Sequence, residues 1–166
     1  MNSSIWKKIA LVLGAVLLVL QFVQPARNLG SATGVEDIST VVAYTGDVQK
    51  TLETSCFDCH SNATVYPWYA SVQPLGLWLK HHVDEGKEEL NFTTFKAYAP
   101  KRQAHKLDEV VEMLEEGEMP LPSYTLIHKN AVLSEAQKAE LLAWAKEGAK
   151  QIRLANNLSE PSADSH

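Results

Sequence analysis

The sequence predicts an all-helical protein, with an N-terminal transmembrane helix followed by a small domain of short amphipathic helices. Three observations predict this class. One apolar segment lies near the N-terminus, the later apolar residues recur at helical spacing, and no segment alternates strands with helices as a doubly wound sheet requires. The chain has 166 residues and 45% of them are apolar, which suits one folded domain with extensions and excludes general disorder.

The N-terminal segment is apolar on all sides. Residues 9–23 follow Lys7 and Lys8 and contain one polar interruption. A helix over residues 5–23 would be about 28 Å long, close to the roughly 30 Å of a bilayer core. The short apolar core also fits a cleaved signal peptide, but no pair of small residues follows it closely. We therefore expect residues 1–24 to be an inner-membrane anchor, or alternatively a signal peptide, with the remaining chain facing the periplasm.

Three further parts of the chain follow this segment. Residues 25–45 are rich in Pro, Gly, Ser and Thr and show no helical period, so they are predicted to be a linker. Within them, residues 38–42 could form an extended stretch on the edge of the domain. The folded domain is predicted to span residues 46–155, and residues 156–166 are expected to be a frayed tail.

Apolar spacing predicts the first helix of the domain. Val48, Leu52, Cys56 and Cys59 fall at positions i, i+4, i+8 and i+11, which share one face of an α-helix. The two cysteines are therefore expected near the C-terminal end of one continuous helix. An aromatic-rich loop at residues 61–69 follows it.

Local residues mark the ends of three further helices. Pro74 and Pro100 suit first turns, and Gly117 suits a helix stop. Residues 118–129 contain two prolines and are predicted to be an ordered loop. Ser134, with a glutamine three residues later, predicts a capping box at the start of the last helix. The apolar stripes are narrow for a self-sufficient core, which indicates that a large apolar cofactor completes it.

Both cysteines of the chain belong to one pentapeptide, Cys56-Phe57-Asp58-Cys59-His60. C-x-x-C-H is the attachment motif of c-type haem, in which two thiols form thioethers with vinyl groups and the histidine binds the iron. We therefore expect one covalent haem c on Cys56 and Cys59, with His60 as the proximal ligand. The all-helical domain would then be cytochrome c-like and built around one haem.

Other uses of the cysteine pair fit less well. A thioredoxin-like redox pair requires a βαβ setting, which the sequence lacks. A disulfide between two cysteines this close in a helix is sterically awkward. A zinc site would need two more ligands. Four histidines could supply them, none at finger-like spacing: His81, His82, His105 and His128.

Met119 is the predicted distal ligand of the iron. It follows the helix stop in a proline-stiffened loop, so little entropy is lost when the loop is held in place. It lies 59 residues after His60, enough chain to return on the opposite side of the haem. His128 is the best alternative ligand, and an ordinary core methionine is the other interpretation of Met119.

Aromatic residues near the motif are candidates for the pocket lining. Tyr66, Trp68 and Trp78 are predicted to contact the haem, and Tyr69 and Tyr124 are further candidates. Aromatic side chains also fill ordinary cores, so both interpretations remain open for each of them.

The charge distribution narrows the class of partner. The formal net charge is −5, and residues 29–166 carry 12 bases against 20 acids. Nucleic-acid binding requires a basic face, so it is excluded as a function. An acidic surface instead suits docking to a basic redox partner protein.

Several of these segments resemble the bacterial haem-binding domain family, whose members have a single C-x-x-C-H motif. The segments that carry the resemblance are Cys56-Phe57-Asp58-Cys59-His60-Ser61-Asn62, Tyr66-Pro67-Trp68-Tyr69, Leu90-Asn91-Phe92, Gly117-Glu118-Met119-Pro120 and Ser123-Tyr124. The resemblance covers about residues 36–150. It implies a small, membrane-anchored protein related in layout to c-type cytochromes, with covalent haem on Cys56 and Cys59 and with His60 as ligand.

The residues and the resemblance together predict a membrane-anchored monohaem c-type cytochrome that transfers single electrons. Independent catalysis is not expected, because a six-coordinate iron leaves no position for a substrate. Two alternatives remain open. One is a haem sensor or peroxidase-like enzyme with an open coordination position, and the other is an accessory haem module of a larger redox complex.

Overall fold

The computed structural model describes residues 3–160, and the all-helical prediction is confirmed for them. This part of the chain forms seven α-helices, four short 3-10 segments and no β-strand, with one isolated β-bridge between Leu29 and Ala63. The helices are α1 (Ser3–Leu20), α2 (Gly46–Ser55), α3 (Phe57–His60), α4 (Leu75–Glu89), α5 (Pro100–Glu116), α6 (Pro122–Ile127) and α7 (Glu135–Ala155). The 3-10 segments are Ile38–Thr40, Trp68–Ser71, Phe92–Ala97 and Lys129–Ala131.

The prediction of a transmembrane anchor over residues 1–24, and with it of a single-pass inner-membrane protein facing the periplasm, is wrong. No helix within residues 3–160 is both long enough and apolar enough to cross a bilayer. Helix α1 ends at Leu20, and its first two turns carry Lys7 and Lys8. The uncharged remainder from residue 9 onward is about 18 Å long, well short of the roughly 30 Å hydrocarbon thickness.

Helices α5 and α7 form the most extensive helix pair of the domain. Leu107 and Leu141 are fully buried in the core between them and their neighbours. An ion pair between Arg153 and Asp108 joins the two helices at one end. The predicted ends of these helices are confirmed. Pro100 opens α5, Gly117 closes it in the left-handed conformation, and the capping box is present at the start of α7.

Part of the predicted linker packs into the core. Asp37 accepts a hydrogen bond from the Ser39 amide and caps a single 3-10 turn. Ile38 and Val42 are then buried in the main apolar cluster. The stretch 38–42 is therefore a turn rather than an extended segment. The predicted loop 118–129 is likewise mostly helical, because it contains α6. Of the predicted tail, residues 161–166 lie outside the described residues.

The cysteine segment differs from the continuous helix that the spacing predicts. Helix α2 ends at Ser55, Cys56 leaves the helical conformation with φ −127°, and the short α3 starts afresh at Phe57. The Cys56 carbonyl accepts from the amides of both Cys59 and His60, at 3.2 and 2.9 Å. The C-x-x-C-H motif is therefore a separate helical turn, divided from α2 by the break at Cys56.

Gly86 allows α4 to lie directly against this turn. A Cβ atom at Gly86 would stand 2.7 Å from the Cys59 carbonyl oxygen and 3.1 Å from its Cβ. Both distances are shorter than normal van der Waals contact, and the first obstacle is backbone. The absence of a side chain at Gly86 therefore sets the distance between α4 and the motif.

Gly86→Ala tests this close approach. We expect it to lower the free energy of unfolding by about 1–3 kcal/mol, because the added methyl group must push two packed elements apart. Urea denaturation of the purified protein measures the change. Gly46→Ala is the matched control, since nothing lies within 4 Å of the corresponding Cβ and alanine is the better helix former. Equal stability of the two variants would show that α4 does not depend on the glycine.

Candidate haem site

His60 ends α3 with its imidazole oriented by the backbone of a distant segment. The ring Nδ1 lies 3.0 Å from the Leu90 carbonyl oxygen, just after the end of α4. A carbonyl only accepts, so Nδ1 carries the proton. Burial lowers the pKa of His60, although the Leu90 and Gly86 carbonyls oppose this effect. The ring is therefore neutral, and its Nε2 lone pair is available to a metal.

The two thiols of the motif are free, and no disulfide joins them. Burial raises the pKa of Cys56 to about 12 and, with the Asp58 charge as a second cause, that of Cys59 to about 11. Both groups are therefore protonated thiols at neutral pH. A protonated thiol is a poor metal ligand, because the thiolate is the form that binds metals. Each cysteine therefore retains its S–H bond.

Two cavities flank the motif and share one wall. The first has a volume of about 400 Å³ and a mainly apolar lining, and the second has a volume of about 530 Å³. Volumes of this order are typical of cofactor pockets. The shared wall consists of Ser55, Cys56, His60, Glu89, Met119 and Pro120. Cys59 lines the second cavity only. Each cavity is therefore bordered by at least one of the two thiols.

Met119 belongs to the loop between α5 and α6, and this loop contributes it to the shared wall. Gly117 takes φ +76°, a left-handed conformation that favours glycine. This turn directs the amides of Glu118 and Met119 back to the Met113 carbonyl, at 3.0 and 3.3 Å. Pro120 and the first residue of α6 then limit the freedom of the loop. The structure thus brings His60 and Met119, predicted as a ligand pair, to one cavity. A second methionine, Met113, lines the same cavity from α5.

A hydrogen-bonded network fixes the Met119 loop to the motif. The hydroxyl of Tyr124 in α6 donates to the Asp58 carboxylate at 2.7 Å. The other Asp58 oxygen accepts from the Val65 amide at 2.8 Å. The Tyr124 ring stacks on His128, whose Nε2 lies 2.8 Å from the Tyr69 hydroxyl. Burial, followed by Asp58, raises the pKa of Tyr124.

Tyr66, Trp68, Trp78 and His128, which were also predicted for the site, line neither cavity. The Tyr66 hydroxyl accepts from the Asn28 amide at 2.7 Å, and the residue packs against a small apolar cluster that Cys59 also contacts. Trp68 is 82% exposed. Trp78 is 41% exposed and packs at a tilt against His82, with ring centroids 4.4 Å apart. His128 has its Nε2 engaged by Tyr69, and it lines neither cavity.

Some residues of the site carry no signal in the sequence. The Leu90 carbonyl is a backbone group, so no residue type marks it. Lys106 is a buried cation on the wall of the first cavity, 2.6 Å from Glu109 and 3.1 Å from Glu89. Burial lowers its pKa, but the two carboxylates outweigh burial and the net shift is upward. In the sequence, the i, i+3 spacing of Lys106 and Glu109 is the one signal for this ion pair.

The fold and the site define a small helical protein in which a neutral histidine and a loop methionine border an apolar cavity. The model of the family described as "Haem-binding domain" matches residues 15–147. The chain therefore belongs to the haem-binding domain family, and haem is its cofactor. Neither the curated proteins nor the solved structures contain a match to this chain.

Tyr124→Phe tests the attachment of the Met119 loop. We expect the free energy of unfolding at pH 7 to fall by about 1.5 kcal/mol, because a hydrogen bond to a carboxylate is lost. The raised pKa has a second consequence. Tyr124 has a higher pKa in the folded than in the unfolded protein, where it is 10.0. The stability that its hydrogen bond contributes is therefore fully present below pH 10.0 and is lost as the pH rises above that value.

The Tyr124→Phe protein should therefore lose less stability above pH 10.0 than the unsubstituted protein. Urea denaturation across the alkaline range measures this difference. Tyr66→Phe is the control for hydroxyl loss, because that hydroxyl holds the Asn28 amide and not the motif. Parallel alkaline curves for the unsubstituted and Tyr124→Phe proteins would contradict the assignment.

Proposed function

We propose that this protein holds one covalent haem c between His60 and Met119 and uses it to transfer single electrons. One observation carries the proposal: the neutral His60, whose Nδ1 is bound to the Leu90 carbonyl, and Met119 line both cavities, and both thiols border the second of them. A histidine oriented in this way presents only Nε2 to the iron. The first cavity suits the porphyrin, because the surface that lines it is mainly apolar.

The cysteines supply the covalent part of the proposal. Each thiol adds its S–H across one vinyl C=C bond, so that one C–S and one C–H bond replace the π bond and the S–H bond. This addition consumes no oxidant and releases nothing. The protonated state of Cys56 and Cys59 fits it, since both enter as thiols. Cys56 borders both cavities and Cys59 borders the second, which suits two attachment points on one edge of a macrocycle.

Electron transfer, rather than catalysis, suits the two side chains that would bind the iron, His60 and Met119. Haem would supply reversible Fe(III)/Fe(II) chemistry, and a thioether favours the reduced iron. The apolar side chains of the first cavity would exclude water, and two protein ligands would leave no place for a substrate on the iron. The partner would be a redox protein with a basic surface, since residues 29–166 carry an excess of acids.

Covalent attachment is tested by extraction. Acid–acetone treatment should leave the haem on the polypeptide, because thioethers survive it. Cys56→Ala and Cys59→Ala should each retain one thioether, and the double variant should release all colour into the solvent. Denaturing electrophoresis with haem staining measures the retained fraction. Complete extraction of haem from the unsubstituted protein would contradict covalent attachment and leave haem binding itself intact.

Met119→Ala tests the distal ligand. We expect loss of the weak far-red absorption of sulfur-bound Fe(III), binding of carbon monoxide by the reduced protein and a lower reduction potential. Met119→His should remain six-coordinate at a lower potential than the unsubstituted protein. Absorption spectra with potentiometric titration measure these changes.

Met113→Ala is the matched control, because it removes a thioether from the same cavity wall. It should keep the far-red band and exclude carbon monoxide. If Met113→Ala lost the band and Met119→Ala kept it, the distal ligand would be Met113 on α5. Carbon monoxide binding by the unsubstituted protein would instead favour the sensor or peroxidase-like class, which requires an open position.

A further inference from the structure

Helix α4 brings together three side chains that can bind a metal, two of them exposed and one half-buried. His81, His82 and Glu85 each offer a ligand atom, and these atoms lie within 4.8 Å of one another. The His81 Nε2 stands 3.2 Å from a Glu85 carboxylate oxygen, one helical turn away. The side chains of His81 and Glu85 are 64% and 60% exposed, so an ion can reach them directly from solvent.

His82 adds an observation that a surface ion pair does not explain. Its Nδ1 is buried and has no hydrogen-bond partner among the described residues. The ring is held by Trp78, at 4.4 Å between centroids, and it lies 5.8 Å from the ring of His81. A buried polar nitrogen without a partner is costly. The packing therefore holds the His82 imidazole in place while its Nδ1 has no hydrogen-bond partner among the described residues.

The donor set selects the class of ion. Two imidazoles and one carboxylate match Zn²⁺ and its neighbours, whereas Mg²⁺ and Ca²⁺ prefer oxygen ligands alone. Three protein ligands leave a further position to water. We propose that His81, His82 and Glu85 form an open three-ligand site for a divalent transition metal of the zinc class.

This site is separate from the proposed iron ligands. His82 and Glu85 line the rim of the second cavity, the one that Cys59 also borders, but neither His60 nor Met119 belongs to the three-ligand set. Nearby charge favours a cation. Glu88 lies on the same cavity wall, and Lys80, the nearest base on the helix, is already paired with Asp84. Binding of the ion is therefore expected to leave the iron ligands unchanged.

The chain contains a matched control for the pair geometry. On α5, His105 and Glu109 form another i, i+4 pair with the same 3.2 Å separation, in which His105 is exposed and Glu109 also pairs with Lys106. The residue after His105 is Lys106, a buried cation, where the α4 site has a second histidine. A metal site that needs three ligands should therefore exist on α4 and be absent on α5.

Calorimetric titration of the haem-loaded, untagged protein with zinc chloride tests the proposal. One saturable site is expected, and His81→Gln and Glu85→Gln should each weaken it at least about 10-fold, a loss of one ligand's contribution. His105→Gln should bind as the unsubstituted protein does. His82→Gln should also weaken binding, and the two exposed variants keep the test decisive if His82→Gln disturbs the packing with Trp78. Magnesium chloride should give no saturable binding.

Three results would overturn the proposal. The first is an absence of saturable zinc binding. The second is equal weakening by His105→Gln and His81→Gln, which would indicate diffuse surface binding. The third is a zinc-induced change in the haem spectrum that His81→Gln does not prevent, which would place the zinc on His60 or the cysteines. A failure of covalent attachment is distinguishable from these results, because it appears on acid–acetone extraction without zinc.

Discussion

The hydrogen bond between the His60 imidazole and the Leu90 carbonyl is the constraint on which the site depends. It joins two segments that are 30 residues apart, and it fixes both the tautomer and the direction of the ring. The bond requires the end of α4 to lie beside the motif. Gly86 permits this approach, since its missing Cβ would otherwise meet the Cys59 carbonyl. The Phe92 ring then packs edge-on against His60, at 6.2 Å between centroids.

The second side of the cavity is held by different means. No β-strand within residues 3–160 holds the Met119 loop. A left-handed glycine, two prolines and the Tyr124–Asp58 hydrogen bond restrict it instead. Asp58 is one of the two variable positions of the C-x-x-C-H motif. Its side chain therefore links the C-x-x-C-H turn to the Met119 loop, and the two sides of the cavity are connected through one carboxylate.

The sequence predicts features that depend on one helical turn, but not those that depend on contacts between distant segments. Pro100, Gly117 and the Ser134 capping box predicted helix ends correctly, because each acts on its own turn. The break at Cys56 escaped prediction, since apolar spacing cannot distinguish one helix from two at an angle. The transmembrane prediction overestimated the uncharged length of α1. Trp68 is 82% exposed, because aromatic content alone does not show which side chains of a loop the fold buries.

The cavity walls and the hydrophobic core are built from the same residues. Leu52, Leu114 and Leu141 are buried in the main apolar cluster, and all three also line the first cavity. These three leucines come from α2, α5 and α7, so a change in the shape of this cavity also changes the packing of the core. The candidate site and the core are therefore one structural unit, and the narrow apolar stripes of the sequence serve both of them.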